Sequence, residues 1–340
     1  MERMRIQSFK TKATIVIMAV SGLLLASCSG SNEAELEKVS IAEPAHLTGY
    51  LPLYIAIQEG YFEEEGLDVE MVTAAGGAHV TSLVSGEVWG NIAGPDSNEL
   101  ANDGSSDPIV AVANVVNRAN VYLMAEKGTQ PDGDSDEELA AFIKGKNIAA
   151  SRYGGSPNLL TRSLFIDLGI DLENDVTLEE PADVTAVIAL VEQGKSQIAN
   201  GAEPTIAEGI NKGIWEEPFF GFPSLGDYPY SVISVKQSTI EEDPEQVQAF
   251  VLAVLRGLET VYEDPELAEE VLRKEFPTLS DEQVEATQAR AYADEHWSKD
   301  GIITEEALAK TMDVLKKTGI YDQPYSYEKM VDMQFVEGSE

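Results

Sequence analysis

Cysteine is almost missing from this 340-residue chain, and Cys28 is its one thiol. Everything after that position therefore holds no disulfide and no thiolate nucleophile. Basic residues are scarce as well: 23 Lys and Arg stand against 60 Asp and Glu, for a formal net charge of −37. A field of that sign disfavours nucleic acid and anionic membrane surfaces. It does not by itself predict a cationic ligand, because one pocket can differ in sign from the whole. A surface adapted to saline or alkaline surroundings is the plainer reading. Histidine occurs three times, too few and without the companion ligands that zinc would need. The chain has no Gly-x-Gly-x-x-Gly, no phosphate-loop lysine signature and no arguable Ser-His-Asp order, so no catalytic machinery is expected. Neither a metal nor a cofactor is expected. No period of 20–50 residues repeats, which argues against a solenoid.

What is present begins with a targeting pattern. Arg3, Arg5, Lys10 and Lys12 precede a short apolar run at 13–25. That run is too short to span a bilayer comfortably and suits a secretory leader. Leu25-Ala26-Ser27-Cys28 resembles the bacterial lipobox, which implies cleavage after residue 27 and acylation of Cys28. Acyl chains there, palmitate among them, would anchor the exported chain to a cell membrane. Residues 28–38 are small and polar, as a flexible tether requires. Residues 1–27 carry four basic residues and Glu2, so the exported part holds 19 basic against 59 acidic residues, a net charge near −40. At 43% hydrophobic composition the chain has material for two cores.

The exported part reads as α/β. Residues 39–42 form a predicted strand. Residues 53–59 follow as a helix buried over most of its surface, with Pro52 in its first turn and Gly60 as its stop. Alternation at 67–72 gives a second strand, which completes a βαβ unit. A short helix at 79–85 stops at Gly86, a strand runs over 87–93, and Asp96 is the expected N-cap of a helix through Asn102. Strands are expected at 108–114 and 121–126. Residues 127–136, rich in Gly, Pro and Asp, mark a loop that follows a crossing between lobes. Ser135 and Glu138 form a capping box. A strand at 147–151 leads into Tyr153-Gly154-Gly155-Ser156-Pro157, with Ser156 the expected N-cap and Pro157 at N1. Strands follow at 176–180, 196–199 and 230–235. From Pro244 the chain is mostly helical, with caps at Asp243, Ser280 and Thr304.

Five stretches then carry a family resemblance: PLYIAIQEGYFEEEGLDVE, LVSGEVWGNIAGPD, GKNIAASRYGGSPNLLTRSLFIDLGID, ALVEQGKSQIANGAEP and HWSKDGIITEEALAKTMDVLKKTGIYDQP. In that order, behind a lipobox, they resemble the substrate-binding lipoproteins of bacterial ABC importers, type II periplasmic-binding-protein fold. The narrower likeness is to the group that binds nitrate, sulfonates, taurine and the thiamine pyrimidine precursor. The resemblance covers roughly residues 39–335. It implies two lobes, each a mixed open sheet flanked by helices, with ligand in the cleft between them. Lobe 1 is expected at 39–126 and 231–340, and lobe 2 at 127–230. It also implies a small-molecule ligand, an ABC permease and a cytoplasmic ATPase as partners. A monomer is expected. The family usually has an Asp in the motif written here Gly86-Glu87-Val88-Trp89; Trp89 would either wall the pocket or pack the core.

The strand-to-helix loops should form the cleft, since open α/β sheets bind ligands at the carboxyl ends of their strands. The candidates are His46, Thr48, Gly49 and Tyr50 in the first loop, Gly77 and His79 in the second, and Asp96 and Ser97 in the third. From the other lobe come Arg152, Tyr153, Gly155 and Ser156, where a glycine-rich helix start offers free N–H groups to an anion. Arg152 would pair an acid group bidentately. Glu203 would accept from a ligand amine, or serve as a charge at a helix start. Tyr228 or Tyr230 would close over an aromatic ligand. The expected ligand is a small organic anion or heterocycle: a sulfonate, nitrate, an aromatic acid or a thiamine-precursor-like compound. Two further readings are an exported sensor for a membrane receptor and a pyrimidine-synthase-like enzyme. The enzymes of that kind carry a cysteine-rich motif that this chain lacks.

Overall fold

The computed structural model describes residues 35–338. The expected leader, the expected lipidation site Cys28 and most of the expected tether lie outside the described residues. Glu37 and Lys38, expected in the tether, open the first strand. Ten strands follow in chain order: β1 Glu37–Glu43, β2 Leu67–Thr73, β3 Gly90–Ala93, β4 Ile109–Val116, β5 Tyr122–Ala125, β6 Asn147–Ala149, β7 Thr177–Glu179, β8 Ile198–Gly201, β9 Phe220–Gly221 and β10 Ser231–Lys236. They form two five-stranded sheets, ordered β2-β1-β3-β10-β4 and β7-β6-β8-β5-β9. In the first, β1 is parallel to β2 and β3, while β10 runs antiparallel between β3 and β4. The second repeats the plan: β6 is parallel to β7 and β8, and β5 runs antiparallel between β8 and β9. This is the two-lobed mixed α/β architecture.

The opening unit forms as its pattern dictates. Helix Leu51–Gln58 has Leu51, Pro52, Leu53, Tyr54, Ile55 and Ala56 buried. Each large apolar side chain shut away there is worth about 1.5–3 kcal/mol. Gly60 takes φ 73° and turns the chain. Glycine is suited to that left-handed position because it has no Cβ to clash. The long helix Pro244–Glu263 lies against this one. Trp89 packs on Phe250, with ring centroids 5.0 Å apart, so it belongs to the core side of the first sheet. Strand β4 is buried along its whole length. Its outer edge is covered by the carboxyl-terminal region, where Ser298 N–H donates to Val115 O at 2.9 Å and Asp332 N–H to Ala111 O at 2.9 Å. Covering an edge in this way removes a template for intermolecular pairing.

One boundary moves. β5 pairs with β8 and β9, so Tyr122–Ala125 belongs to the second sheet rather than to a first lobe extending to 126. The first crossing is residues 117–121. All four β5 residues are buried, and an apolar strand carries no mark of which sheet will accept its backbone. The second crossing runs from β9 to β10, and the two are stitched together: Tyr228 N–H donates to Asn117 O at 3.1 Å, and Tyr230 N–H to Val116 O at 2.8 Å. Arg118 adds contacts to Asp227 at 2.5 Å and Glu295 at 3.1 Å.

The helix pair predicts one measurable weakness. A Cβ on Gly257 would land on the Pro52 carbonyl oxygen, so the two helices meet at backbone distance. Gly257→Ala should therefore cost about 1–3 kcal/mol by overpacking, read as a lower urea midpoint with an unchanged slope.

Candidate functional site

Between the sheets lies a cavity of ≈ 70 Å³, walled from one side by the loops after β1, β2 and β3 and from the other by those after β6 and β7. Three helices begin at its wall: Ala78–Ser85 with Gly77 as N-cap, Pro95–Asn102 with Gly94, and Ser156–Asp167 with Gly155. A helix N-terminus presents unpaired N–H groups and partial positive charge, so three of them bias the cavity toward an anion. Gly94 admits no side chain: a Cβ there would strike both Asp96 Oδ1 and Ser156 Oγ.

Arg152 enters from the second sheet. Its guanidinium carbon lies 3.6 Å from where a Cβ on Gly77 would sit, and Nη2 lies 3.4 Å from the same position on Gly155. The guanidinium thus packs directly against two glycines. Nη1 donates to Tyr153 O at 3.2 Å. Among the described residues no carboxylate lies within 4.0 Å of this guanidinium. Burial pulls its pKa down, and Asp96 pulls it back up. A polar frame holds the loop. Ser151, in the left-handed region at φ 58°, donates from Oγ to Asn200 Oδ1 at 2.6 Å. Asn158 Nδ2 donates to Ala150 O at 3.1 Å and to Glu180 Oε1 at 2.8 Å.

Of the residues expected in the cleft, Tyr50, Gly77, His79, Ser97, Arg152, Gly155, Ser156 and Tyr230 line this cavity. His79 is buried, and its titration is pushed down to about 4 by burial and then by Arg152. It is therefore neutral at ordinary pH. Asp96 lies directly behind the wall and is fully buried. Neither Asp96 nor Ser156 is the N-cap it was expected to be. Asp96 is the second residue of its helix and Ser156 the first of its own, and Ser156 Oγ donates to Asp96 Oδ1 at 2.8 Å across the cleft. Gly94 and Gly155 take the caps; a Cβ on Gly94 would clash, and one on Gly155 would sit tightly, 3.2 Å from Arg152 O.

Five expected residues lie elsewhere. His46 Nδ1 sits 3.2 Å from Glu43 Oε1, and its ring stacks on Phe276 at 4.6 Å. Thr48 donates to Glu203 O at 3.2 Å. Gly49 O accepts from Trp297 Nε1 at 3.0 Å. Tyr153 is 54% exposed and stacks under Arg162. Glu203 accepts from Arg290 Nε at 3.1 Å and from Ala207 N–H at 3.0 Å. Each has found a partner distant in sequence, or solvent, which local pattern cannot reveal. Tyr228 is fully buried and is not part of the lining. The unforeseen lining residues include Leu47, Ser151, Ala182 and Val184, while Gly76 and Gly94 lie in loops expected to wall the cleft. Gly76 and Gly94 had a local signal, as glycines at helix starts. Ala182 and Val184 had only their position after β7.

Two mixed sheets joined by a double crossing, with a cavity at the carboxyl ends of their strands, define a periplasmic-binding-protein fold. Residues 33–273 match the model of the NMT1-like family, and the chain belongs to that family. It is 26% identical over 321 residues to "Putative binding protein YtlA" of Bacillus subtilis, covering 93% of each chain. It is 27% identical over 279 residues to the formylaminopyrimidine-binding protein of Halalkalibacterium halodurans, covering 78% of each. Among solved structures, the alkanesulfonate-binding protein SsuA of Xanthomonas axonopodis pv. citri, bound to MOPS, superposes with a TM-score of 0.70 at 15% identity, covering 88% of this chain and 98% of that one. The structural neighbours include binding components of ABC import systems, and nitrate- and sulfonate-binding periplasmic proteins. Among the described residues no helix is long and apolar enough to cross a membrane.

The displaced His46 generates a pH prediction. Hydrogen bonds to Glu275 and Glu43 raise its titration to about 9. A raised folded value stabilises fully below the unfolded 6.5 and is lost as pH climbs through 9. The melting deficit of His46→Gln should be largest near pH 6 and close by pH 10. A deficit that does not change with pH would show that the cluster does not titrate in this way.

Proposed function

We propose that this protein captures a small ligand carrying an acidic oxyanion group and presents it to an ABC permease coupled to a cytoplasmic ATPase. The supporting observation is Arg152: a half-buried guanidinium without a carboxylate partner, set at a cavity on which three helix N-termini converge. A buried cation left this way is costly unless a ligand completes it. Cavity size ranks the ligands. The ≈ 70 Å³ enclosed here is about half of the roughly 150 Å³ that holds benzene in an apolar cavity. Nitrate or the head of a short sulfonate suits that space. A formylaminopyrimidine-sized heterocycle, as bound by one relative, requires a wider separation of the lobes, and Tyr50 and Tyr230 would then supply its aromatic walls. Capture proceeds by closure of the lobes, with the ligand binding the closed form more tightly than the open one. Binding without chemical conversion is the activity. Export and anchoring through Cys28 are part of the same reading.

A thermal-shift screen over nitrate, methanesulfonate, taurine, aromatic acids and aminopyrimidines tests it. A ligand at a hundred times its Kd should add about 2.7 kcal/mol of stability by mass action. Arg152→Met should weaken binding of the acidic ligands roughly 10–100-fold, as expected for losing a charge-assisted pair worth about 1.5–3 kcal/mol. Unchanged affinity in Arg152→Met would remove the anion assignment, and a product detected by mass spectrometry would overturn the binding-only reading.

A further inference from the structure

Asp96 is a buried carboxylate whose side chain is bonded across the cleft. It is 0% exposed, in the first turn of helix Pro95–Asn102 on the first-sheet side. Oδ1 accepts from Ser97 N–H at 2.7 Å and, across the cleft, from Ser156 Oγ at 2.8 Å. Oδ2 is buried with no hydrogen-bond partner. No cationic nitrogen lies within 4.0 Å among the described residues. The groups around it are few. Arg152 acts on it from the second-sheet side, and Tyr228 and Tyr230 approach from the segment leading into β10. The packed helix Ala78–Ser85 contributes His79, which is neutral. The buried residue next to Tyr228 on helix Glu305–Lys317 is Thr311, which is not ionisable. An ionised carboxylate placed here would have one oxygen facing neither proton donor nor water. Such burial favours the neutral acid.

The anion site lies on the other side of the same wall. With Asp96 ionised, its charge partly offsets that of Arg152 as an anion approaches. With Asp96 neutral, Arg152 acts alone. Resting on the capture reading above, we propose that Asp96 becomes a neutral acid as the lobes close, so that capture of an anion takes up a proton and weakens as pH rises. The proton comes from solvent and sits on the carboxyl; no other bond changes. Burial raises the Asp96 pKa, against the opposing pull of Ser156, the Ser97 N–H and Arg152, which agrees with this direction.

The geometry supplies a way to hold the closed form without any ligand. A Cβ on Gly76, on the loop after β2, would lie 3.7 Å from the Ala182 Cβ, on the loop after β7. That is disulfide distance. In a Cys28→Ser background, Gly76→Cys with Ala182→Cys can be oxidised to lock the lobes and reduced to release them. The Asp96 carboxyl carbon, assigned by its loss in Asp96→Asn, is followed by ¹³C NMR from pH 4 to 9 in both forms. Asp96 should titrate later in the oxidised form, and equal titration in the two forms overturns the proposal. On the protein with both native residues restored, calorimetry with methanesulfonate in two buffers of different ionisation enthalpy should show proton uptake approaching one per ligand. Affinity should fall by up to about tenfold per pH unit across the window between the open and closed values. In Asp96→Asn the proton uptake and the pH dependence should both vanish, whatever the absolute affinity. Uptake that persists in Asp96→Asn assigns the proton elsewhere and also overturns the proposal. Methanesulfonate stays anionic throughout, so the dependence is not its own. If no compound of the thermal-shift screen binds, the capture reading fails, while the locked-form titration still decides the proton.

Discussion

Everything in this molecule depends on two short crossings bound side by side. The chain passes from the first sheet to the second at 117–121 and returns before β10. Backbone hydrogen bonds from Tyr228 and Tyr230 to Asn117 and Val116 tie the passages together. Arg118 clamps them further through Asp227 and Glu295. These two passages are the chain connections between the sheets. The carboxyl ends of β1, β2 and β3 therefore meet those of β6 and β7, and a cavity forms where five loops converge. Covalent connection thus sets the site's location before any side chain contributes.

The electrostatics then run against the composition. A chain with a net charge of −37 keeps a cation at its centre. It does so by local means: the guanidinium packs against the glycines at 77 and 155, and three helix N-termini lend partial charge. The many carboxylates act elsewhere. Arg290 reaches Glu203 and Glu217, Arg162 reaches Glu180, and Lys317 reaches Asp167. These pairs occupy cations that would otherwise be free, and Arg152 stays available because no acidic side chain is placed within reach. Asp96, the acid nearest in function, is turned into the wall and engaged by Ser156.

Much of the local structure was legible. The capping boxes at Ser135–Glu138 and Ser280–Gln283 formed as read. So did the caps at Asp243 and Thr304, and the glycine stops at 60 and 86. Each depends on residues within four positions of one another. The site was legible to the extent that it follows from position after a strand. Arg152, Gly155, Gly77 and Tyr50 line the cavity because their loops do. What failed were side chains whose partners lie far along the chain. His46 turned toward Glu275, Glu203 toward Arg290, and Thr48 toward the backbone of residue 203. Nothing near His46 in sequence announces residue 275.

The amino-acid order by itself determined the elements and their ends, and it marked which loops open helices with glycine. Those are short-range matters of backbone conformation, hydrogen bonding within a turn and apolar periodicity. Tertiary structure alone decided that β5 joins the second sheet, that Asp96 meets Ser156 across the cleft, and that Arg152 is left without a carboxylate. These outcomes depend on which distant surfaces share a wall after folding, and burial then assigns each polar group a partner or withholds one.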